Sequence, residues 1–89
     1  MKSQTTERFR KAYALLPDAV KEKTRRTYKL WQSDPYHPGL AFKQVVSDRP
    51  IYSVRMGISY RAPGIKDGTT MIWFWIGSHE NYNTLINEL

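Results

Sequence analysis

Cysteine is absent from the 89 residues, and histidine occurs only twice. Without thiolates the chain can form neither disulfides nor thiolate zinc sites, and two histidines are too few for a histidine-rich metal site. A secreted domain of this size would often depend on disulfides to offset its small core. We therefore expect a cytoplasmic protein that uses no metal and no other cofactor.

Long apolar runs and the common enzyme motifs are also missing. The longest apolar run, residues 71–76, is far shorter than the roughly 20 residues needed to cross a bilayer. The polar N-terminus contains no apolar stretch of signal-peptide length. No phosphate-binding glycine loop or serine-nucleophile elbow is present. These absences predict no membrane association, and they leave metal-free acid–base chemistry as the enzymatic possibility.

Acidic residues are scarce relative to basic ones, at 8 Asp and Glu against 14 Lys and Arg, which gives a net charge of +6. Residues 1–33 hold nine basic and three acidic side chains, whereas residues 34–89 hold five of each. The excess therefore lies in the first third of the chain. A basic face suits a polyanion or an acidic protein partner, although charge runs are more often simply solvated helix surface.

The chain has enough apolar material for a compact core, with 40% hydrophobic and 13% aromatic residues. This composition and the length predict one globular domain over residues 1–89. Helical spacing of apolar residues predicts a first helix over residues 5–16, and Pro17 opens a second that runs to about Ser33. The two helices should form an antiparallel hairpin. The second carries an outward basic stripe four residues apart, at Lys21, Arg25 and Lys29.

After a connector rich in proline and glycine at residues 34–40, the apolar period changes to two, which is typical of strands. Residues 63–64 and 66–68 are predicted to form a hairpin loop, and Ser78 to cap a terminal helix over residues 79–89. The fold class is α+β, an α-hairpin packed on a four-stranded antiparallel sheet with a short C-terminal helix. The strands are predicted at residues 42–46, 51–56, 58–62 and 70–76, with the last one central because it is apolar on both faces.

Four side chains are candidates for chemistry. His79 directly follows the apolar strand, and imidazole is well suited to proton transfer near neutral pH, although it could instead be a structural cap of the helix. Tyr82 lies one turn later on the same helix face, where it could contact a phosphate or belong to the core. Arg55 and Arg61 lie on consecutive strands and would stabilise the charge of a phosphorane if they shared a face. The alternative is two surface arginines paired with carboxylates.

Other conspicuous side chains receive structural interpretations. Trp31, Trp73 and Trp75 lie in strongly apolar periodic segments, so we expect all three in the core. His37 lies in the proline-rich turn, where we expect a loop residue without a role.

Four segments together resemble the RelE/ParE toxin superfamily of type II toxin–antitoxin systems. Each is weakly specific, but their order and spacing along nearly the whole chain are more so. They are Leu-Pro-Asp-Ala-Val at 16–20, Asp-Pro at 34–35 leading to Leu-Ala-Phe-Lys at 40–43, the Tyr-x-Val-Arg…Tyr-Arg strand pair at 52–62, and Ile-Gly-Ser-His-Glu-x-Tyr at 76–82.

The resemblance implies an activity, a site and partners. RelE-like members are mRNA interferases that act with the ribosome and without metal, through attack of a ribose 2′-hydroxyl on the neighbouring phosphate. Arg61 matches the arginine thought to hold the scissile phosphate, Arg55 matches a basic strand position, and His79 falls where members carry arginine or a catalytic histidine. The implied partners are a cognate antitoxin, the ribosome and mRNA. We expect Tyr82 to complete the catalytic set, and RNA contacts from Lys43, Lys21, Arg25 and Lys29.

Two departures from the family pattern leave the activity open. Ser53 stands where some members carry a second strand lysine, and Tyr82 lies about one helical turn before the tyrosine of the best-known RNA-cutting member. ParE-like members share the fold but inhibit DNA gyrase without this catalytic set. The alternatives to an endoribonuclease are therefore a ParE-like gyrase inhibitor and, beyond toxins, a nucleic-acid-binding module.

Overall fold

The computed structural model, which describes residues 1–89, is an α+β fold built on one mixed sheet. The elements in chain order are β1 (Lys2–Thr5), α1 (Glu7–Ala14), α2 (Asp18–Ser33), a 3₁₀ turn (Pro38–Leu40), β2 (Lys43–Gln44), β3 (Ile51–Met56), β4 (Tyr60–Asp67), β5 (Thr70–Trp73), β6 (Gly77–Ser78) and α3 (His79–Asn87). The strands are ordered β1-β5-β4-β3-β2, with β6 paired to β4; β1 is parallel to β5, and the other pairs are antiparallel.

The first two helices form the predicted hairpin, and local capping fixes where α1 begins. The Thr6 hydroxyl accepts a hydrogen bond from the backbone N–H of Phe9, and Pro17 directly precedes α2. The core lies between these helices and one face of the sheet. There Trp31 of α2 packs edge-on against Trp73 of β5, with 5.2 Å between ring centroids. None of the helices is both long and apolar enough to span a bilayer.

Successive residues of strand β3 point to opposite faces of the sheet. Tyr52, Val54 and Met56 alternate toward the helical hairpin, where Val54 and Met56 are buried. Ser53 and Arg55 point to the opposite face. Helix α3 packs against β4 and β6 and buries Tyr82 and Leu85 outside the main core. One face therefore builds the core, and the other carries the candidate residues.

The predicted sheet of four antiparallel strands is corrected by the additional strands β1 and β6. Residues 2–5 are polar and mostly exposed, so their sequence carries no apolar alternation. They join the sheet through backbone pairing with β5, in parallel register from Lys2 opposite Thr70 to Thr5 opposite Trp73. This outer position places β4 in the middle of the sheet. The segment 70–76, which we predicted to be central, ends as a strand at Trp73.

The predicted hairpin loop at Pro63-Gly64 is wrong, because both residues lie inside β4. Pro63 lies opposite Ser53, and its carbonyl accepts a hydrogen bond from the Phe74 N–H. Its hydrogen bond to the neighbouring segment therefore uses the carbonyl and not the N–H that proline lacks. Gly64 lies where a Cβ would come within 2.8 Å of both Met71 and Trp73. Pro63 and Gly64, which suggested a turn, therefore suit the packing of a strand. The chain reverses instead at Gly68, with φ +59°.

Candidate functional site

The β3–β4 hairpin brings Arg55 and Arg61 together as directly opposed residues on the face away from the core. Gly57, with φ +74°, makes the turn between the two strands. The Arg55 Nε donates to the Gly57 carbonyl at 3.1 Å, and Arg61 Nη1 donates to the Tyr60 carbonyl at 3.0 Å and more distantly to the Gly57 carbonyl at 3.5 Å. Backbone oxygens of one turn therefore hold both half-buried guanidinium groups.

No carboxylate neutralises this pair, since the only ion pair in the molecule joins Lys11 to Glu7. Burial lowers the pKa of Arg61, the adjacent charge of Arg55 lowers it further, and Tyr82 acts in the opposite direction. Two like charges held side by side at a partly desolvated site are unfavourable until an anion binds. The alternative of arginines paired with surface carboxylates does not describe this arrangement.

Strand β6 places the start of α3, which carries His79 and Tyr82, next to the strand that carries Arg61. In this register Gly77 lies opposite Arg61, and the His79 N–H donates to the Ser59 carbonyl at 2.7 Å. The exposed imidazole is 6.3 Å from the buried Tyr82 ring, measured between centroids. The Ser78 hydroxyl, rather than the histidine, caps α3 by accepting from the Asn81 N–H at 3.2 Å. The His79 side chain is therefore free of the capping role and faces solvent.

Lys43 lies on the same face as the two arginines. It is opposite Ser53 in the β2–β3 pairing, and Ser53 is two residues from Arg55, so the three side chains project from one side of the sheet. Lys43 is exposed at the edge strand, while Ser53 is 4% exposed. The sheet face therefore presents Lys43, Arg55 and Arg61, with His79 and Tyr82 beyond them; we call this set the basic face.

The predicted helical stripe does not join the basic face. The Arg25 guanidinium donates to the Tyr13 hydroxyl at 2.8 Å, and the Lys21 ammonium lies 6.0 Å from the centre of the same ring. Two of the three stripe residues thus contact α1, and only Lys29 is exposed without such a contact. The basic residue of α2 that reaches the β3–β4 turn is Lys23, which sequence reasoning missed.

Trp75 is not a core residue, contrary to the prediction from its apolar segment. It is half-buried, and its ring fills the space above Gly77, where a Cβ would come within 2.4 Å of the indole. Paired residues of an antiparallel ladder project to the same side, so the indole lies on the side of the sheet that carries Arg61. The available signal was Gly77 itself, since a glycine in a strand often marks the close approach of another group.

The side chains present favour phosphate binding over metal binding. No three histidine, aspartate or glutamate side chains lie close enough together to hold a metal ion. The basic face offers guanidinium donors, an ammonium group, an imidazole and a phenol. Such a set can hold a phosphate, stabilise negative charge that develops on it, and transfer protons.

Solved structures of several bacterial and archaeal proteins share this fold. The toxin of the RelB–RelE complex from Methanococcus jannaschii is 16% identical with a TM-score of 0.71, and the comparison covers 91% of this chain and 95% of that one. YafQ from E. coli is 10% identical with a TM-score of 0.73, covering 91% and 96%. The RelBE2 complex from Mycobacterium tuberculosis gives 16% identity and a TM-score of 0.71, covering 88% and 96%. At these identities the likeness concerns the fold.

Family membership rests on the sequence itself. No protein of curated function matches the chain. The family model described as "ParE-like toxin domain" matches residues 18–84, from the first turn of α2 into α3, and so includes all of the basic face. The chain therefore belongs to the ParE-like toxin domain family, within the RelE/ParE superfamily.

Proposed function

We propose that this protein is the toxin of a type II toxin–antitoxin pair and that it acts as a ribosome-dependent mRNA endonuclease without a metal. The observation that carries the proposal is the unneutralised pair Arg55 and Arg61, held side by side on the face away from the core. The exposed His79 begins the helix that follows β6, the strand paired with Arg61. A pair of arginines without a carboxylate partner is suited to one phosphate group, which accepts hydrogen bonds from two guanidinium groups at once.

The proposed reaction is transfer of a phosphoryl group within the RNA. The ribose 2′-oxygen forms a bond to the adjacent phosphorus, and the bond from phosphorus to the 5′-oxygen of the next nucleotide breaks. Arg55 and Arg61 stabilise the added negative charge of the phosphorane. His79 either accepts the proton of the attacking 2′-hydroxyl or donates one to the departing 5′-oxygen, and water exchanges the other proton, while the Tyr82 phenol helps to orient the phosphate. The products are a 2′,3′-cyclic phosphate and a 5′-hydroxyl.

Lys43 can supply the ammonium group that some family members provide with a lysine at the position of Ser53. The pairing of β2 with β3 sets Lys43 opposite Ser53, so an ammonium group from the neighbouring strand is available where some family members carry one on β3 itself. We assign Lys43 to RNA binding beside the arginines. Lys29, with a smaller contribution from Lys21 and Arg25 because both contact Tyr13, supplies a separate surface for ribosomal RNA.

The partner we propose is a small acidic antitoxin. The M. jannaschii, M. tuberculosis, Pyrococcus horikoshii and E. coli relatives of similar fold were solved as toxin–antitoxin complexes. In this chain the uncompensated basic face and the outer strands β1 and β2 are surfaces where an acidic segment can bind, by charge or by adding a strand.

The test is primer-extension mapping of transcripts after brief induction of the wild type and of His79→Ala and Arg61→Ala. We expect cleavage sites with the wild type and none with either variant. Both variants should still bind the antitoxin and melt cooperatively. The matched control is Arg49→Ala, which removes an exposed charge from the turn before β3, at the opposite end of that strand from Arg55. Its transcripts should be cut as in the wild type.

The second candidate is a non-enzymatic ParE-like inhibitor of DNA gyrase, which the ParE-like description of the matching family favours. In that case His79→Ala would remain toxic. Induced cells would show DNA damage while their transcripts stay intact, and this result would contradict the endonuclease proposal.

A further inference from the structure

A hollow of about 390 Å³ opens next to the basic face, where helix α2, the 3₁₀ connector and the β3–β4 turn meet. Three basic residues from three different elements are among those that line it: Lys23 of α2, His37 of the connector and Arg55 of β3. No carboxylate lines the hollow. Arg55 both lines this hollow and pairs with Arg61, so the two places share this residue.

The positions of these basic groups suit an anion. The Lys23 side chain packs over Gly57, where an added Cβ would lie 2.9 Å from its Cε and 3.2 Å from its ammonium nitrogen. The carbonyl of the same glycine accepts from Arg55 Nε, so the ammonium and the guanidinium lie around one turn. The His37 Nδ1 accepts from the Gly39 N–H at 3.1 Å, which leaves Nε2 as the nitrogen available to donate to a ligand.

We propose that this hollow binds a second phosphate of the RNA strand, adjacent to the one held between Arg55 and Arg61. The inference rests on the proposed function and names a contact for its substrate. A ligand that occupies both places must carry anionic groups repeated at short intervals on one flexible chain, and the phosphodiester backbone has this property. Lys23, His37 and Arg55 then fix how the strand runs past the scissile bond, which makes Lys23 and His37 positioning residues.

The experiment measures binding of a 2′-O-methylated RNA hexamer, which has no free 2′-hydroxyl and cannot be cut by the proposed reaction. Fluorescence anisotropy at several salt concentrations gives the slope of log affinity against log salt. Each phosphate contact with a single strand contributes about 0.7 to this slope. The double variant Lys23→Gln/His37→Asn should make the fall of log affinity with log salt shallower by about 0.7, since both residues contact one phosphate.

The substitutions and the control are chosen to leave the fold intact. Lys23 is exposed, and asparagine at position 37 keeps a side-chain acceptor for the Gly39 N–H. Arg49→Gln removes a charge at the far end of β3 and should leave the slope unchanged. Cooperative melting at a temperature no lower than that of the wild type verifies the fold of each variant.

Three results would overturn the proposal: an unchanged slope in the double variant, an equal fall in the Arg49→Gln control, or weakened binding of an acidic antitoxin peptide with no change in RNA binding. The proposed nuclease activity is tested separately by transcript mapping, because binding of the hexamer does not depend on cleavage. If transcripts stay intact in cells but the slope falls as expected, the phosphate site stands and the nuclease assignment fails.

Discussion

The position of Arg61 carries a cost in stability. Its pKa is lowered by burial and by Arg55, so the folded protein holds this proton less tightly than the unfolded chain does. The resulting penalty is fully present at neutral pH, begins to fall as the pH rises through the folded pKa, and is gone only above the higher pKa of the unfolded chain, in strongly alkaline solution. Functional sites often carry such a cost, and stabilising substitutions there tend to reduce activity.

We therefore expect Arg61→Gln to stabilise the free protein only slightly, by roughly 0.5 kcal/mol or less because solvent screens a partly buried charge, while abolishing the proposed RNA cleavage. Urea unfolding at neutral pH measures the free energy of unfolding, and transcript mapping measures the cleavage. Any lost positive charge relieves some repulsion in a protein of net charge +6, so the value is compared with that of Arg49→Gln. A variant less stable than this control would show that the hydrogen bonds of Arg61 to the turn outweigh its burial and repulsion.

Gly77 has a steric requirement that a second substitution can isolate. A Cβ at this position would come within 2.4 Å of the Trp75 indole, and its φ is not in the left-handed region, so the clash alone opposes alanine. We expect Gly77→Ala to destabilise the protein by about 1–3 kcal/mol and to change the near-UV circular dichroism of tryptophan. Adding Trp75→Ala should recover part of the loss. A double variant no more stable than Gly77→Ala would contradict the assigned contact.

The elements that the sequence predicts well are those whose own residues determine them. The alternation in residues 51–56 predicts β3 with its exact bounds, and Ser78 marks the start of α3 because its hydroxyl makes the capping bond. Strand β1 was missed because its four residues owe their conformation to the backbone of β5 rather than to their side chains. Pro63 and Gly64 were wrongly predicted as a loop because their place in β4 is determined by residues of neighbouring strands, which the local sequence does not show.

In the candidate site, too, local pattern predicts some residues and only the fold reveals others. A hairpin about Gly57 made it possible from the sequence that Arg55 and Arg61 share a face, with surface arginines paired to carboxylates as the alternative, and the pairing of β3 with β4 decides for the shared face. Lys23 was missed although it has helical spacing with Thr27 and Leu30, which also line the hollow. Spacing along α2 defines several possible faces, and the fold decides which of them meets the β3–β4 turn. The stripe at Lys21 and Arg25 was equally regular but meets α1 instead.

Helix α3 depends on its cap, and its first turn carries His79. We expect Ser78→Ala to cost about 1 kcal/mol of stability, because the Asn81 N–H loses its acceptor. Ser78→Asp keeps an acceptor and places negative charge at the helix N-terminus, so it should retain the stability of the wild type. Thermal unfolding followed by far-UV circular dichroism compares the two variants. Equal losses in both would indicate that the β6 pairing, rather than the cap, is what matters at this position.

The molecule as a whole combines a thin core with poorly compensated charge. Only 17 of its 89 residues are buried, which limits the hydrophobic stabilisation available to the free protein. A single exposed ion pair is set against a net charge of +6, so repulsion among the basic groups opposes the compact state. A partner that binds only the folded form would stabilise it by mass action, and an acidic one would also neutralise the basic face.

Salt should therefore affect the stability of the free protein and its binding of RNA in opposite directions. Raising NaCl from about 0.05 M to about 0.5 M shortens the Debye length severalfold and screens repulsion among the basic groups, so the melting temperature should rise. Over the same range the affinity for the 2′-O-methylated hexamer should fall steeply, because salt competes with RNA phosphates for these groups. The complex with an acidic antitoxin should show a smaller rise in melting temperature, since its charges are already compensated. A free protein whose melting temperature falls with added salt would instead indicate that the isolated fold gains more from attraction between its charges than it loses from their repulsion.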